Sequence, residues 1–180
     1  MRVRLSNLPL PEPHLALLGA GMVLQLIRPL RLPVPFAPLA GLGAGMAIGA
    51  SAAAIGWATH AAGTVDLAEP DRLVTAGPYT MTRHPMYEAW TAIYVAVAVA
   101  SRNGWMAAFL PALLALVHHE TGREDRRLRR QFGDRHEAYA QRVPRYLTVG
   151  LIRAWAQRNV PKEQGRSTSE AEASAVVRTQ

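Results

Sequence analysis

Arg83, His84 and Tyr87 stand within five residues of one another in the stretch LVTAGPYTMTRHPMYEAW, just before a run of apolar residues. A second polar group follows at His118 to Phe132, HHETGREDRRLRRQF. In a helix, residues three and four apart share a face, which places Val117, Glu120, Glu124, Leu128 and Phe132 on one stripe. Glu124 then faces the same side as apolar residues, and a carboxylate there is costly unless a polar or cationic group meets it. Arg83 and Arg127 are the candidate cations. Each residue also has a plain structural role: Pro85 suits the first position of a helix, His84 can cap it, and Arg83 can anchor on lipid phosphate. A metal site is not expected, because the neighbouring His118 and His119 point about 100° apart on a helix and no pair of histidines is spaced i, i+4.

The elements that must position these groups read as membrane helices. Hydrophobic residues make up 49% of the 180, yet the mean hydropathy is only +0.02 because the charges are segregated. No charged residue occurs from Leu32 to Val65, nor from Asn103 to His119, and about 20 apolar residues cross a bilayer core. Helices are expected over about 14–28, 36–62, 86–101 and 104–119, the last with a polar extension to about 132. Ser101 to Gly104 reads as a tight turn, so the last two spans form a hairpin. The fold class is therefore all-α, a polytopic membrane bundle of about four transmembrane helices with a cytoplasmic, helical C-terminal region. The stretch from Leu15 to Ile27 lacks a signal-peptide cleavage pattern and reads as a retained helix, either re-entrant or with snorkelling arginines. Gly41, Gly45 and Gly49 recur every four residues, a pattern that permits close helix packing in lipid. One unit is expected over 1–150, with a basic and then disordered tail over 151–180.

The net charge of +7 comes largely from arginines between Arg123 and Arg158. Basic residues after a membrane helix mark a cytoplasmic, lipid-facing end, and no nucleic-acid motif accompanies them. That orientation makes residues 63–85 cytoplasmic but leaves Arg28 and Arg31 on the opposite side. The absence of cysteine excludes disulfides and thiolate metal sites.

Taken together in order, LVTAGPY at 73–79, RHPMYEA at 83–89, EDRRLRRQFG at 124–133, Tyr139 and VPR at 143–145 resemble the isoprenylcysteine carboxyl methyltransferase and phospholipid methyltransferase superfamily of integral membrane enzymes. The resemblance covers about residues 66–148. It implies binding of S-adenosylmethionine without a Rossmann fold, by Leu73, Val74, Tyr79, His84, Pro85, Tyr87 and Glu124. His84 and nearby backbone N–H groups suit the methionine carboxylate, Glu124 the ribose hydroxyls or amino group, and the two tyrosines the adenine and sulfonium. Three positions depart from the family pattern: the acid pair is Glu124–Asp125, Ala89 replaces glycine, and Glu120 stands where isoprenylcysteine enzymes carry an arginine. The last departure argues against a carboxylate acceptor.

The implied reaction is methyl transfer to a lipophilic acceptor, an in-line displacement in which positioning and water exclusion do most of the work. Arg83 and Arg123 are the candidate acceptor-binding cations, and Glu120 or His119 the candidate base if the acceptor must lose a proton. An NADPH-dependent membrane reductase of steroid-reductase type and a non-catalytic membrane scaffold are the competing readings. The acceptor and the oligomeric state are not legible from the residues.

Overall fold

The computed structural model describes residues 12–67 and 69–147. Arg2, Arg4 and the expected tail over 151–180 lie outside the described residues. Five helices follow in order: α1 (Glu12–Ile27), α2 (Ala37–Ala62), α3 (Pro85–Ala100), α4 (Gly104–Phe132) and α5 (Asp134–Arg142), with one 3-10 turn at Gly77–Thr80. No strand occurs among the described residues. Each of the four expected helices is found within two residues of its expected ends. The short RLVT segment is irregular backbone without a strand partner.

α2 packs mainly on α3, and α1 mainly on α4. Apolar side chains fill the joint between α3 and α4, where Tyr94, Ala98, Met106, Leu113 and Val117 form one buried cluster. Tyr94 has its hydroxyl satisfied there by the Met106 carbonyl at 3.0 Å. A second cluster of Ala58, Tyr79 and Met86 fixes the end of α2 against the 3-10 turn and the start of α3. The helices alternate in direction, so the end of α2, the start of α3 and the polar half of α4 meet at one end of the bundle.

At the other end, α1 is tied to the α3–α4 turn. Gly104 N–H donates to the Leu30 carbonyl at 2.7 Å, Leu32 N–H to the Arg102 carbonyl at 2.9 Å, and Trp105 Nε1–H to the Arg28 carbonyl at 2.7 Å. The exit of α1 is therefore held at the end opposite the polar groups of α3 and α4. A Cβ at position 104 would fall 2.8 Å from the Leu30 carbonyl oxygen, so the close approach of these two segments requires glycine.

The glycine stripe of α2 behaves differently from the expectation. Gly41, Gly45 and Gly49 have open space where a side chain would stand, and the buried face of α2 is Ala44, Ser51, Ile55, Ala58, Thr59 and Ala62. Alanine and serine on that other face already allow the approach to α3, so the glycines are turned outward.

α2 is the described helix that is both long and apolar enough to cross a membrane; its 26 residues extend about 39 Å. The outward surface of the bundle is apolar as well, with Leu26 85%, Phe36 80%, Met46 69% and Leu39 68% exposed. An apolar belt of this extent marks a surface meant for lipid or another protein, not for water.

Asn103 joins both halves of this framework. Its fully buried side chain accepts from Met106 N–H at 3.1 Å, capping α4, and donates to the Gly21 carbonyl of α1 at 3.1 Å. Asn103→Ala removes a cap and leaves a buried carbonyl unpaired, so we expect a loss of about 2 kcal/mol, measured as a lowered midpoint of thermal unfolding in detergent.

Candidate functional site

Pro85 opens α3 because its missing N–H costs nothing at the first helical position. This sets Arg83 and His84 in the last residues of the loop, facing the polar half of α4. Asp125 is the carboxylate they meet. His84 Nε2 lies 3.2 Å from Asp125 Oδ1, Arg83 Nη2 lies 3.2 Å from Oδ2, and Arg145 Nε donates to Oδ2 at 2.9 Å. Asp125 is 9% exposed at its side chain, so three segments distant in sequence converge on one buried anion.

Burial raises the Asp125 pKa, but the His84 hydrogen bond and the charges of His84, Arg83 and Arg145 outweigh it and hold the carboxyl at about 2. Burial likewise lowers the pKa of His84, and hydrogen bonds and charge from Asp125 and Glu124 reverse this to a net rise. His136 of α5 sits 3.7 Å from Asp125 Oδ1, too far for a hydrogen bond, and both its ring nitrogens are buried without one. Burial then dominates and its pKa is lowered. One carboxylate therefore faces a histidine biased toward the cation and another biased toward the neutral form.

The sequence singled out Glu124 as the inward acid. It does border the cleft, but it is half-buried and touches His84 Nδ1 only at 3.6 Å. The fully buried position belongs to Asp125, one residue and about 100° farther round the helix. The candidate ion pairs of Glu124 with Arg83 or Arg127 are absent from the described contacts, since Arg83 is turned to Asp125.

Leu73, Val74, Tyr79, Arg83, His84 and Glu124 line one narrow cleft together with Asp125, His136 and Tyr139. Tyr139 holds its roof by donating to the Tyr79 carbonyl at 2.7 Å, and Gln131 Nε2–H reaches the Pro70 carbonyl at 2.6 Å. Gly77 carries the turn in this roof with φ 61°, and a Cβ there would stand 2.8 Å from Ala61 Cβ. Pro85 is buried at the start of α3 and is not among the residues that line the cleft.

Tyr87 belongs to a second space. It contacts His84 edge-on, with ring centroids 6.0 Å apart, and lines a cavity of about 850 Å³ between α2, α3 and α4. Ala40, Ala44, Ala92, Val95, Val99 and Leu114 give that cavity apolar walls; Glu88, His118 and Tyr146 stand among its polar lining residues. The loop residues 82–84 and the start of α3 are thus the partition between a polar cleft and an apolar cavity. His119, Glu120 and Arg123 line neither space. Glu120 and Arg123 pair with each other at 3.5 Å on an exposed face.

The segment after α5 had no assigned role. It lies across the start of α3: Arg83 N–H donates to the Pro144 carbonyl at 3.1 Å, and Leu147 N–H to Glu88 Oε1 at 3.0 Å. The VPR motif at 143–145 was visible in the sequence, but its partner Asp125 was hidden in an apparently redundant acid pair.

A family model described as phospholipid methyltransferase matches residues 38–135, more than half of the chain. No curated protein and no solved structure matches. The matched span includes RHPMY and the Glu124–Asp125 pair of α4, and ends before Tyr139 and Arg145.

The Asp125 knot has a defined pH window. The depressed carboxyl contributes stability that is complete above the ordinary carboxylate pKa and is lost as pH falls toward about 2. The raised His84 contributes stability that is complete below its ordinary 6.5 and is lost as pH rises through its folded value. The stabilisation that Asp125 and His84 give each other should therefore be largest between about pH 4 and 6.5 and fall on both sides, read as the difference in thermal midpoint between wild type and Asp125→Asn. His136, its pKa lowered by burial, costs stability as pH falls below 6.5. Asp125→Asn, which strands Arg83 and Arg145, should cost on the order of 3 kcal/mol and flatten both limbs.

Proposed function

The chain belongs to the phospholipid methyltransferase family, a family of membrane methyltransferases, and from that membership we propose that it transfers a methyl group from S-adenosylmethionine to a lipophilic acceptor. The observation that carries this reading is the partition itself: a polar cleft with His84 and Glu124 backs directly onto a large apolar cavity lined by Tyr87. A charged, water-borne cofactor and a lipid-borne acceptor need such adjoining but chemically opposite spaces.

The donor set of the cleft fits the cofactor. Asp125 is consumed by Arg83, His84 and Arg145, whereas Glu124 makes no side-chain hydrogen bond among the described residues, its contact to His84 Nδ1 standing at 3.6 Å, and can accept from ribose hydroxyls or an amino group. Arg83 Nε is buried without a hydrogen-bond partner and can meet a carboxylate. Leu73, Val74 and Tyr79 offer apolar and aromatic surface for a purine. When bound, S-adenosylmethionine supplies an electrophilic methyl on a sulfonium, and Tyr87 and Tyr79 present aromatic faces to that positive charge.

The cleft has a free volume of only about 40 Å³, far below the ~300 Å³ at which small-molecule sites begin. Entry of the cofactor therefore requires the loop over 69–80 to lift from α4 and α5, breaking the Tyr139 and Gln131 hydrogen bonds. Closure afterwards excludes water from the methyl group, which suits a displacement that needs alignment more than acid or base strength.

The apolar outer belt and the length of α2 support insertion in a membrane. In the proposed arrangement α1 to α4 cross it, with the cleft and the arginines of α4 and α5 at the cytoplasmic face. α3, of 16 residues, is about 24 Å long, so local thinning or burial against α2 accommodates it.

Titration of the detergent-solubilised protein separates the readings. Saturable heat or thermal stabilisation with S-adenosylmethionine and none with NADPH is the expected result; the reverse pattern would overturn the proposal in favour of a reductase. Glu124→Ala should weaken cofactor binding about tenfold, equivalent to about 1.4 kcal/mol, without lowering the unfolding midpoint. Its effect is then distinct from that of Asp125→Asn.

A further inference from the structure

His118 is one residue from the expected base and lies on a different face of α4. His118, Thr121 and Asp125 are spaced three and four apart, so they form a single stripe about 10 Å long that runs from the large cavity to the Asp125 knot. His118 lines the cavity, whereas His119 does not.

The hydrogen bonds along this stripe form a chain. Thr121 Oγ1 lies 2.9 Å from the Val117 carbonyl, 3.2 Å from the His118 carbonyl and 2.8 Å from the Tyr146 hydroxyl, where either hydroxyl can donate. Tyr146 Oη in turn lies 3.2 Å from His118 Nδ1. When Thr121 donates to a carbonyl and Tyr146 donates to Thr121, His118 Nδ1–H donates to Tyr146 and the lone pair stands on Nε2.

We propose that His118 is the proton acceptor of the reaction, with Tyr146 and Thr121 as the positioning residues that keep Nε2 unprotonated. This rests on the methyltransferase reading and deepens it. The acceptor lone pair forms the new bond to carbon as the sulfur–carbon bond breaks, its electron pair remaining on sulfur. The proton carried by the acceptor atom passes to Nε2 of His118. The acceptor is accordingly a molecule with an apolar anchor and a protonated nucleophilic atom, such as an amine, hydroxyl or phenol. Among the described residues no lysine or arginine lines the cavity, and Glu88 does, so these residues offer an anionic acceptor group no fixed counter-charge.

Nitrogen-15 NMR of histidine-labelled protein in micelles, assigned with His118→Gln, tests the tautomer directly. The expected spectrum has the proton on Nδ1 of His118, with Tyr146→Phe shifting the population toward Nε2–H. A proton on Nε2 in the wild type overturns the inference. The companion assay follows transfer of labelled methyl from S-adenosylmethionine into a total lipid extract. His118→Gln should lower turnover about a hundredfold, within the usual range for a positioned base, while leaving cofactor affinity unchanged by calorimetry. Turnover within threefold of wild type would equally overturn it. Failure of the wild type to bind S-adenosylmethionine would instead remove the methyltransferase reading, whatever the tautomer.

Discussion

A buried carboxylate is the constraint on which the polar end of this molecule depends. Asp125 leaves water on the side of α4 that faces α3, and an isolated charge there is strongly unfavourable. It is tolerated because His84, Arg83 and Arg145 reach it from two other segments at 2.9 to 3.2 Å. The same contacts determine where the loop before α3 ends, how the polar half of α4 is rotated and where the chain lies after α5. Buried ion pairs add little net stability when compared with apolar packing, but they strongly disfavour arrangements that separate the partners. Here they specify one register of three segments that apolar contacts alone would leave free to slide.

From that register the two compartments follow. Residues 82–88 pass from loop to helix, and their side chains divide between two sides. Arg83 and His84 turn to the polar cleft, whereas Tyr87 and Glu88 turn to the cavity. Thr82 sits between the Glu88 carboxylate and the Arg145 carbonyl, so the residues around the VPR motif close the partition from behind. The apolar cavity exists because α2 and α3 meet through alanine and glycine at one end and through Ile55, Ala58 and Met86 at the other. Small residues leave space; larger ones fill it.

Much of the bundle was legible because membrane-type helices write themselves in long uncharged runs. Their ends were set by local chemistry: Pro85 at the start of α3, the Asn103 cap at the start of α4, Gly133 after its last turn. The glycine stripe of α2 misled for an equally local reason. Periodicity shows that Gly41, Gly45 and Gly49 share a face, but not which face meets a neighbour, and it is the adjacent Ala44 and Ser51 face that does. At the candidate site, Leu73, Val74, Tyr79, Arg83, His84 and Glu124, all singled out from the motifs, line one cleft with Asp125, His136 and Tyr139. Motif order did not show that Asp125, beside Glu124, is the carboxylate that Arg83, His84 and Arg145 meet.

That distinction marks the boundary between sequence and structure in this protein. The sequence by itself determined the helices, the polar patches at their ends and the family, since each depends on residues close together in the chain or on motif order. Only the tertiary structure decided that Asp125, and not Glu124, is the carboxylate buried against the distant cations. Neighbouring residues on a helix differ by about 100°, and the rotation of α4 is set by Asp125 meeting His84 and Arg145, 41 and 20 residues away. No local pattern encodes that rotation, because the energy that selects it arises only when the distant segments are already in contact.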